Sequence, residues 1–201
     1  MDIIRSIISN VLTALYEPCG FALILTVLFL FVCMYAREHG WKKIVKKWVN
    51  CFWTNREFRI AFFLIFYTAM ILFRTLLNRN LWENPLSDVI GIWGLRDRDG
   101  KMTTEVIENL VLFIPFSILL LWIRWEKGKR KQVSCKSIVL ESGGIVLLFS
   151  LVIEFAQLFF RLGTFQLSDL FYNTLGGVIG GLLFYIGMNI LVRRNHISGN
   201  L

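Results

Sequence analysis

Between Leu151 and Gly181 the chain reads LVIEFAQLFFRLGTFQLSDLFYNTLGGVIGG, apolar enough for lipid yet carrying Glu154, Gln157, Arg161, Asp169 and Asn173. Charged groups at membrane depth are costly and persist when they are paired, hydrated or functional. On a helix, Glu154, Gln157 and Arg161 recur at i, i+3 and i+7, which puts them on one face, and Asp169 and Asn173 at i, i+4 share another. Arg74 and Asn109 add polar groups in other apolar runs. The carboxylates of Glu154 and Asp169 are the candidate general acid or base. Arg74, Asn109, Gln157, Arg161 and Asn173 supply donors suited to peptide or phosphate groups. Nucleophilic chemistry has less to work with. No Ser or Cys stands beside the carboxylates as an obvious nucleophile, Thr174 is a poorer candidate still, and Ser168 reads as a helix cap. The bland alternative is a set of interhelical fasteners worth about 1 kcal/mol each. Fasteners have no reason to gather at one depth, so a functional site is the preferred reading.

The elements that must position these groups are membrane helices. At 201 residues, with 56% hydrophobic content and a mean hydropathy of +0.60, the chain is too oily for an ordinary soluble domain. We expect one all-α domain over residues 1–201, a polytopic bundle with five spans. They are Cys19–Ala36, Ile60 to about Leu77, Thr104 to about Ile123, about Ile138–Phe160 and about Leu170–Val192, each close to the 20 or so residues a bilayer needs. Thr103 or Thr104 is the expected N-cap of the third, and Pro115 predicts a kink in it. Two amphipathic stretches, 1–18 and 41–53, are too short or too charged to cross and are expected to lie in the interface. In the second, Trp41, Ile44, Val45, Trp48, Val49 and Phe52 form a stripe opposite Lys42, Lys43, Lys46 and Lys47, as on a helix resting against an anionic membrane. Trp82, Leu86, Val89, Ile90 and Trp93 suggest a third interfacial helix. Gly176, Gly177, Gly180 and Gly181 form overlapping small-residue motifs that bring the last span close to its neighbours.

Charge orients the bundle. Of the 22 Lys and Arg, fifteen fall in the 37–59 and 124–136 loops and the C-terminal tail, and seven fall on the opposite side. The positive-inside rule then places the N-terminus outside and the C-terminus in the cytoplasm, with Arg74, Glu105, Asn109, Glu154, Gln157, Arg161, Asp169 and Asn173 toward the outer leaflet. Glu141 sits at the other end, within reach of the basic 124–136 loop. The net charge of +8 is thus largely topology, and nucleic acid is not an expected partner. His39 and His196 fall on the cytoplasmic side, so no His-based triad forms at the outer cluster. The four cysteines have no CxxC or CxxH spacing and Arg96–Gly100 (RDRDG) lacks the rest of a calcium loop, so no metal or cofactor is expected. The opening MDIIRSIISN has neither a basic start nor a cleavage site, and no removed signal peptide is expected.

ENLVLFIPF (Glu108–Phe116) and the pattern E-x-x-Q-x-x-x-R-x7-D-x-x-x-N-T-x-G-G (Glu154–Gly177) resemble the VanZ-like family, as does NPLSDVIGIWGL before them. The resemblance implies a small membrane protein of Gram-positive bacteria, whose family namesake gives resistance to teicoplanin, a lipidated glycopeptide. It maps the family's polar positions onto Asn109, Pro115, Glu154, Gln157, Asp169, Asn173, Gly176 and Gly177. Gln166 departs from it, because many relatives carry an acidic residue there, and its loss argues against a divalent-metal cage.

Three functions compete. The leading one is an outer-leaflet pocket that binds a lipoglycopeptide or a lipid-linked wall precursor. The second is an enzyme acting on such a substrate, with Glu154 as general acid or base and Arg161 or Asn173 holding an anion; the resemblance carries no enzymatic activity with it. A transporter would show inverted repeats and broken central helices, which this chain lacks. The ligand's identity and the oligomeric state are not written in the sequence.

Overall fold

Long apolar runs free of turn residues have one way to satisfy their backbone in lipid, which is to coil into helices. The computed structural model describes residues 2–16, 19–35, 40–77, 84–96, 99–128 and 134–198, and among them the chain forms seven α-helices. They are α1 (Asp2–Tyr16), α2 (Cys19–Tyr35), α3 (Trp41–Thr54), α4 (Arg56–Leu72), α5 (Glu105–Gly128), α6 (Cys135–Phe160) and α7 (Leu167–Ser198). A π-helical turn, Phe73–Leu77, extends α4. The only pairing of extended backbone among the described residues is a bridge between Arg96 and Met102.

Four helices are long and apolar enough to cross a membrane: Arg56–Leu76, Glu105–Glu126, Cys135–Phe160 and Leu167–Leu191. The remaining expected span, Cys19–Ala36, corresponds to α2, an apolar helix whose 17 described residues cover about 26 Å of a hydrocarbon core of about 30 Å. The helix expected around Trp82–Trp93 does not form over the described residues, and Trp82 lies outside them. Local hydrogen bonds explain this. The Asn84 side chain accepts from the Leu86 N–H (3.2 Å) and its carbonyl from the Ser87 N–H (3.2 Å), a turn made before a helix can start, and Gly91 adopts φ 74.

The chain divides into two compact units, residues 1–89 with 153–165, and residues 90–152 with 166–201. In the first, α3 and α4 meet at a corner of one residue, Asn55, whose side chain caps α4 by accepting from the Phe58 N–H at 3.1 Å. The Arg59 guanidinium donates to the carbonyls of Phe52 (3.1 Å) and Trp53 (2.7 Å), satisfying the end of α3 and fixing the angle. The Trp48 ring lies 5.6 Å from Phe52, 6.2 Å from Phe58 and 6.0 Å from Phe62, so Ile44, Trp48 and Phe52 of the stripe expected to face lipid pack within the protein while Trp41, Val45 and Val49 stay exposed.

In the second unit α7 is the central strut. A Cβ at Gly176 would strike the Leu110 carbonyl and one at Gly180 the Ile114 carbonyl, both on α5; at Gly177 and Gly181 it would strike Val146 and Ser142 on α6. The two overlapping motifs therefore serve two different neighbours. Ser117 donates across to the Gly177 carbonyl at 3.1 Å, an approach that the absent Cβ of Gly180 permits. Phe113, Phe116 and Phe149 fill the space beyond, with Phe116 and Phe149 stacked at 5.1 Å. Farther along, Leu121, Ile138 and Phe184 form a buried cluster flanked by Trp122 and Trp125. The Arg124 Nε sits 2.8 Å from the Glu141 carboxylate, the basic partner expected for Glu141. Outward-facing Leu147, Leu148, Leu182, Leu183, Ile186 and Ile190 stay exposed, as lipid-facing side chains do.

Candidate polar site at one end of the bundle

The first turns of α5 and α7 begin at the same end of the second unit, and their caps decide which residues turn inward. Thr104 precedes α5; its carbonyl accepts from the Glu108 N–H (2.9 Å) and its hydroxyl donates to the Glu108 carboxylate (2.5 Å). Asn109, one residue on, is buried and donates from Nδ2 to Asp169 Oδ1 at 2.8 Å. Asp169 lies in the first turn of α7, where the helix dipole favours a negative charge. Its neighbour one turn along, Asn173, donates from Nδ2 to the Ser150 hydroxyl of α6 at 2.8 Å. Three helices are thus joined by polar side chains, and Asn109, Asp169 and Asn173 belong to one buried cluster.

One acceptor of that cluster is unfilled: Asn173 Oδ1 is fully buried without a hydrogen-bond partner among the described residues, as is the Ser168 Oγ, which lies against Gly91 and Gln166. A buried acceptor left unmade costs roughly 1–3 kcal/mol, so Asn173 is where a further donor, water or ligand, would be accommodated. Ser168 is not the cap expected of it. It stands inside the helix, Gln166 takes the capping place by accepting the Leu170 N–H on its carbonyl (3.4 Å), and the bare Cα of Gly91 packs against the Ser168 and Gln166 side chains.

The remaining expected site residues belong to the first unit. Gln157 is 3% exposed and donates from Nε2 to the Thr75 carbonyl at 2.8 Å. The last carbonyls of a helix need partners from outside it, and Thr75 lies in the π-helical turn that closes α4. Arg74, in the same turn, is half-buried. Glu154 is 2% exposed.

Arg161 departs from the expected shared face. α6 ends at Phe160, and Arg161 follows it exposed, with φ 57. Its N–H donates to the Leu158 carbonyl (3.4 Å) and the Leu162 N–H to the Gln157 carbonyl (2.9 Å), the paired bonds of a Schellman cap. An i, i+7 argument holds only while the helix continues, and here the cap turns the Arg161 side chain off the face.

Sequence reasoning passed over Ser150 and Thr75. Ser150 carries a faint signal, a hydroxyl within the apolar run VLLFSLVI; Thr75 carries none, because its contribution is a backbone carbonyl.

Residues 21–190 match the VanZ/LLP1 family. The protein VanZ of Enterococcus faecium is 35% identical to this chain over 81 residues, which cover 40% of the chain and 44% of VanZ, so the match spans less than half of that relative's length. No solved structure matches. With the match running through α2 to α7 and the motif residues seated on helices able to cross a membrane, the chain is a membrane protein that belongs to the VanZ/LLP1 family.

Proposed function

We propose that the cluster of Asn109, Ser150, Ser168, Asp169 and Asn173 binds the polar part of an amphiphile from the cell envelope, a lipoglycopeptide or a lipid-linked wall precursor, and so supports teicoplanin resistance. The observation that carries this reading is the unfilled buried acceptor of Asn173, one helical turn from the Asp169 that bonds Asn109, with the Ser168 Oγ unfilled in the same first turns of α7. Glycopeptides and wall precursors offer amide N–H and sugar O–H groups, the donors that such acceptors take. Orientation supports it. About 22 Å of helix separates Asn109 from Arg124 on α5, and the Arg124 end carries the basic 124–136 loop. Positive-inside bias then turns the cluster toward the outer leaflet of a Gram-positive membrane, with the C-terminus in the cytoplasm. The N-terminus falls outside if α2 crosses with the four longer helices. The enzymatic alternative keeps Glu154 as general acid or base; binding is preferred because the unfilled acceptor lies at Asn173.

Orientation is tested by cysteine labelling of a cysteine-free chain in intact cells. Ser87→Cys should react with an impermeant maleimide and Ser134→Cys only after permeabilisation; the reverse pattern overturns the orientation. The binding reading is tested by Asp169→Asn, which keeps the shape and lets Asn109 pair with an amide in place of the carboxylate. Protection of cells against a lipidated glycopeptide should fall to the level of an empty vector while the melting temperature of the purified protein stays within a few degrees. Full protection by a well-expressed variant would remove Asp169 from the site.

A further inference from the structure

The corner between α3 and α4 puts the lysines of α3 to a use separate from the polar cluster. α3 carries Lys42, Lys43, Lys46 and Lys47 and no acidic residue. A single residue, Asn55, separates it from a helix able to cross the membrane, and the Arg59 bonds to Phe52 and Trp53 fix that junction, so α3 is held at the membrane boundary. Its inward face is already occupied: Ile44 is fully buried and Trp48 packs on Phe31, Phe52, Phe58 and Phe62. What stays outside is the other edge of the stripe, Trp41 (one face stacked on Phe31), Val45 and Val49, continued by Trp53, which is 73% exposed, lying beside exposed Lys42, Lys43 and Lys46. An open cleft of about 670 Å³ runs between Lys43, Lys46, Lys47, Val49, Asn50 and Trp53.

We propose that this cleft binds the phosphate headgroup of an anionic phospholipid. The ammonium groups of Lys43 and Lys46 meet the phosphate oxygens, the Asn50 amide meets a headgroup hydroxyl, and Trp53 with Val49 covers the glycerol and the first acyl carbons. Charge complementarity selects an anion, and the strip selects the source. Free phosphate leaves Trp53 and Val49 in water, whereas a lipid covers both. A nucleic acid would satisfy the lysines, yet the four strip residues line one edge instead of alternating with the lysines as stacking platforms do.

The test uses the full chain purified in a neutral detergent, with the melting temperature read against added short-chain phosphatidylglycerol, phosphatidylcholine, inorganic phosphate or a single-stranded oligonucleotide. Phosphatidylglycerol should raise the melting temperature in a saturable, salt-sensitive way, and the other three should not. Lys43→Gln with Lys46→Gln should weaken phosphatidylglycerol by about 30-fold, the worth of two lysines near an anionic surface, while leaving the melt in phosphatidylcholine unchanged. Trp53→Ala should weaken the lipid as well. Equal shifts with phosphatidylcholine, an effect matched by inorganic phosphate, displacement of the lipid by the oligonucleotide, or an undiminished effect in the double-lysine variant would each overturn the proposal.

Discussion

Gly176→Leu should prevent the second unit from assembling: we expect a loss of more than about 3 kcal/mol, read as little folded protein recovered in detergent and a collapsed melt. A Cβ at this position would lie on the Leu110 carbonyl, and backbone inside a helix cannot swing aside. Overpacking of a well-filled core typically costs about 1–3 kcal/mol, and more where the obstacle is rigid. The neighbouring motif glycines grade the effect. At Gly177 the obstacle is the Val146 side chain, whose Cβ stays 2.7 Å from the added one in any rotamer, so α6 itself must give; Gly177→Ala should still be milder than Gly176→Ala, where the nearest obstacle is a backbone carbonyl and closer. At Gly187 nothing lies within 4 Å, and Gly187→Leu should melt like the parent. Gly176→Leu with an unchanged melt would mean that α5 and α7 do not approach as closely as the structure places them.

These contrasts mark how far the sequence reached. Helical periodicity and the small-residue motif name α7 as the packing strut, because both depend only on which positions recur. They cannot say that Gly176 and Gly180 meet α5 while Gly177 and Gly181 meet α6, since that follows from the crossing of three helices. The same limit appears in α3. Its pattern shows an apolar stripe at helical spacing, but period alone does not tell lipid from protein as the cover, and the structure turns Ile44 and Trp48 inward and leaves Trp41 and Trp53 outside. Asn109, Asp169 and Asn173 were legible as a group because all three lie within two turns of a helix start at one end of the bundle. Arg161 was not, because its place depends on a single left-handed residue that ends α6. The loop after Asn84 was misread because turn chemistry at Asn84 and Gly91 outweighs the spacing of Leu86, Val89, Ile90 and Trp93.

Asn109→Leu should cost about 2 kcal/mol, and the partner change should recover part of it. The Asn109–Asp169 bond is buried and ends on a carboxylate, the class worth roughly 1.5–3 kcal/mol when broken from one side. Interhelical hydrogen bonds in membranes average nearer 0.6 kcal/mol, because the separated helices also find partners. Here the larger figure wins, since losing the amide strips a donor from a desolvated acid, and a neutral pair would suffer less. Asn109→Asp should be worse than Asn109→Leu at neutral pH, because it sets two carboxylates against each other. Removing both partners removes the acid that lost a donor, so Asn109→Leu with Asp169→Leu should lose less than the sum of the two single losses, by about 1 kcal/mol or more. The measurement is a four-member cycle of detergent melts with the parent, each single variant and the double. Strict additivity would show that the two side chains are neighbours without being coupled, and Asp169 would then draw its stabilisation from its other surroundings, the start of α7 among them.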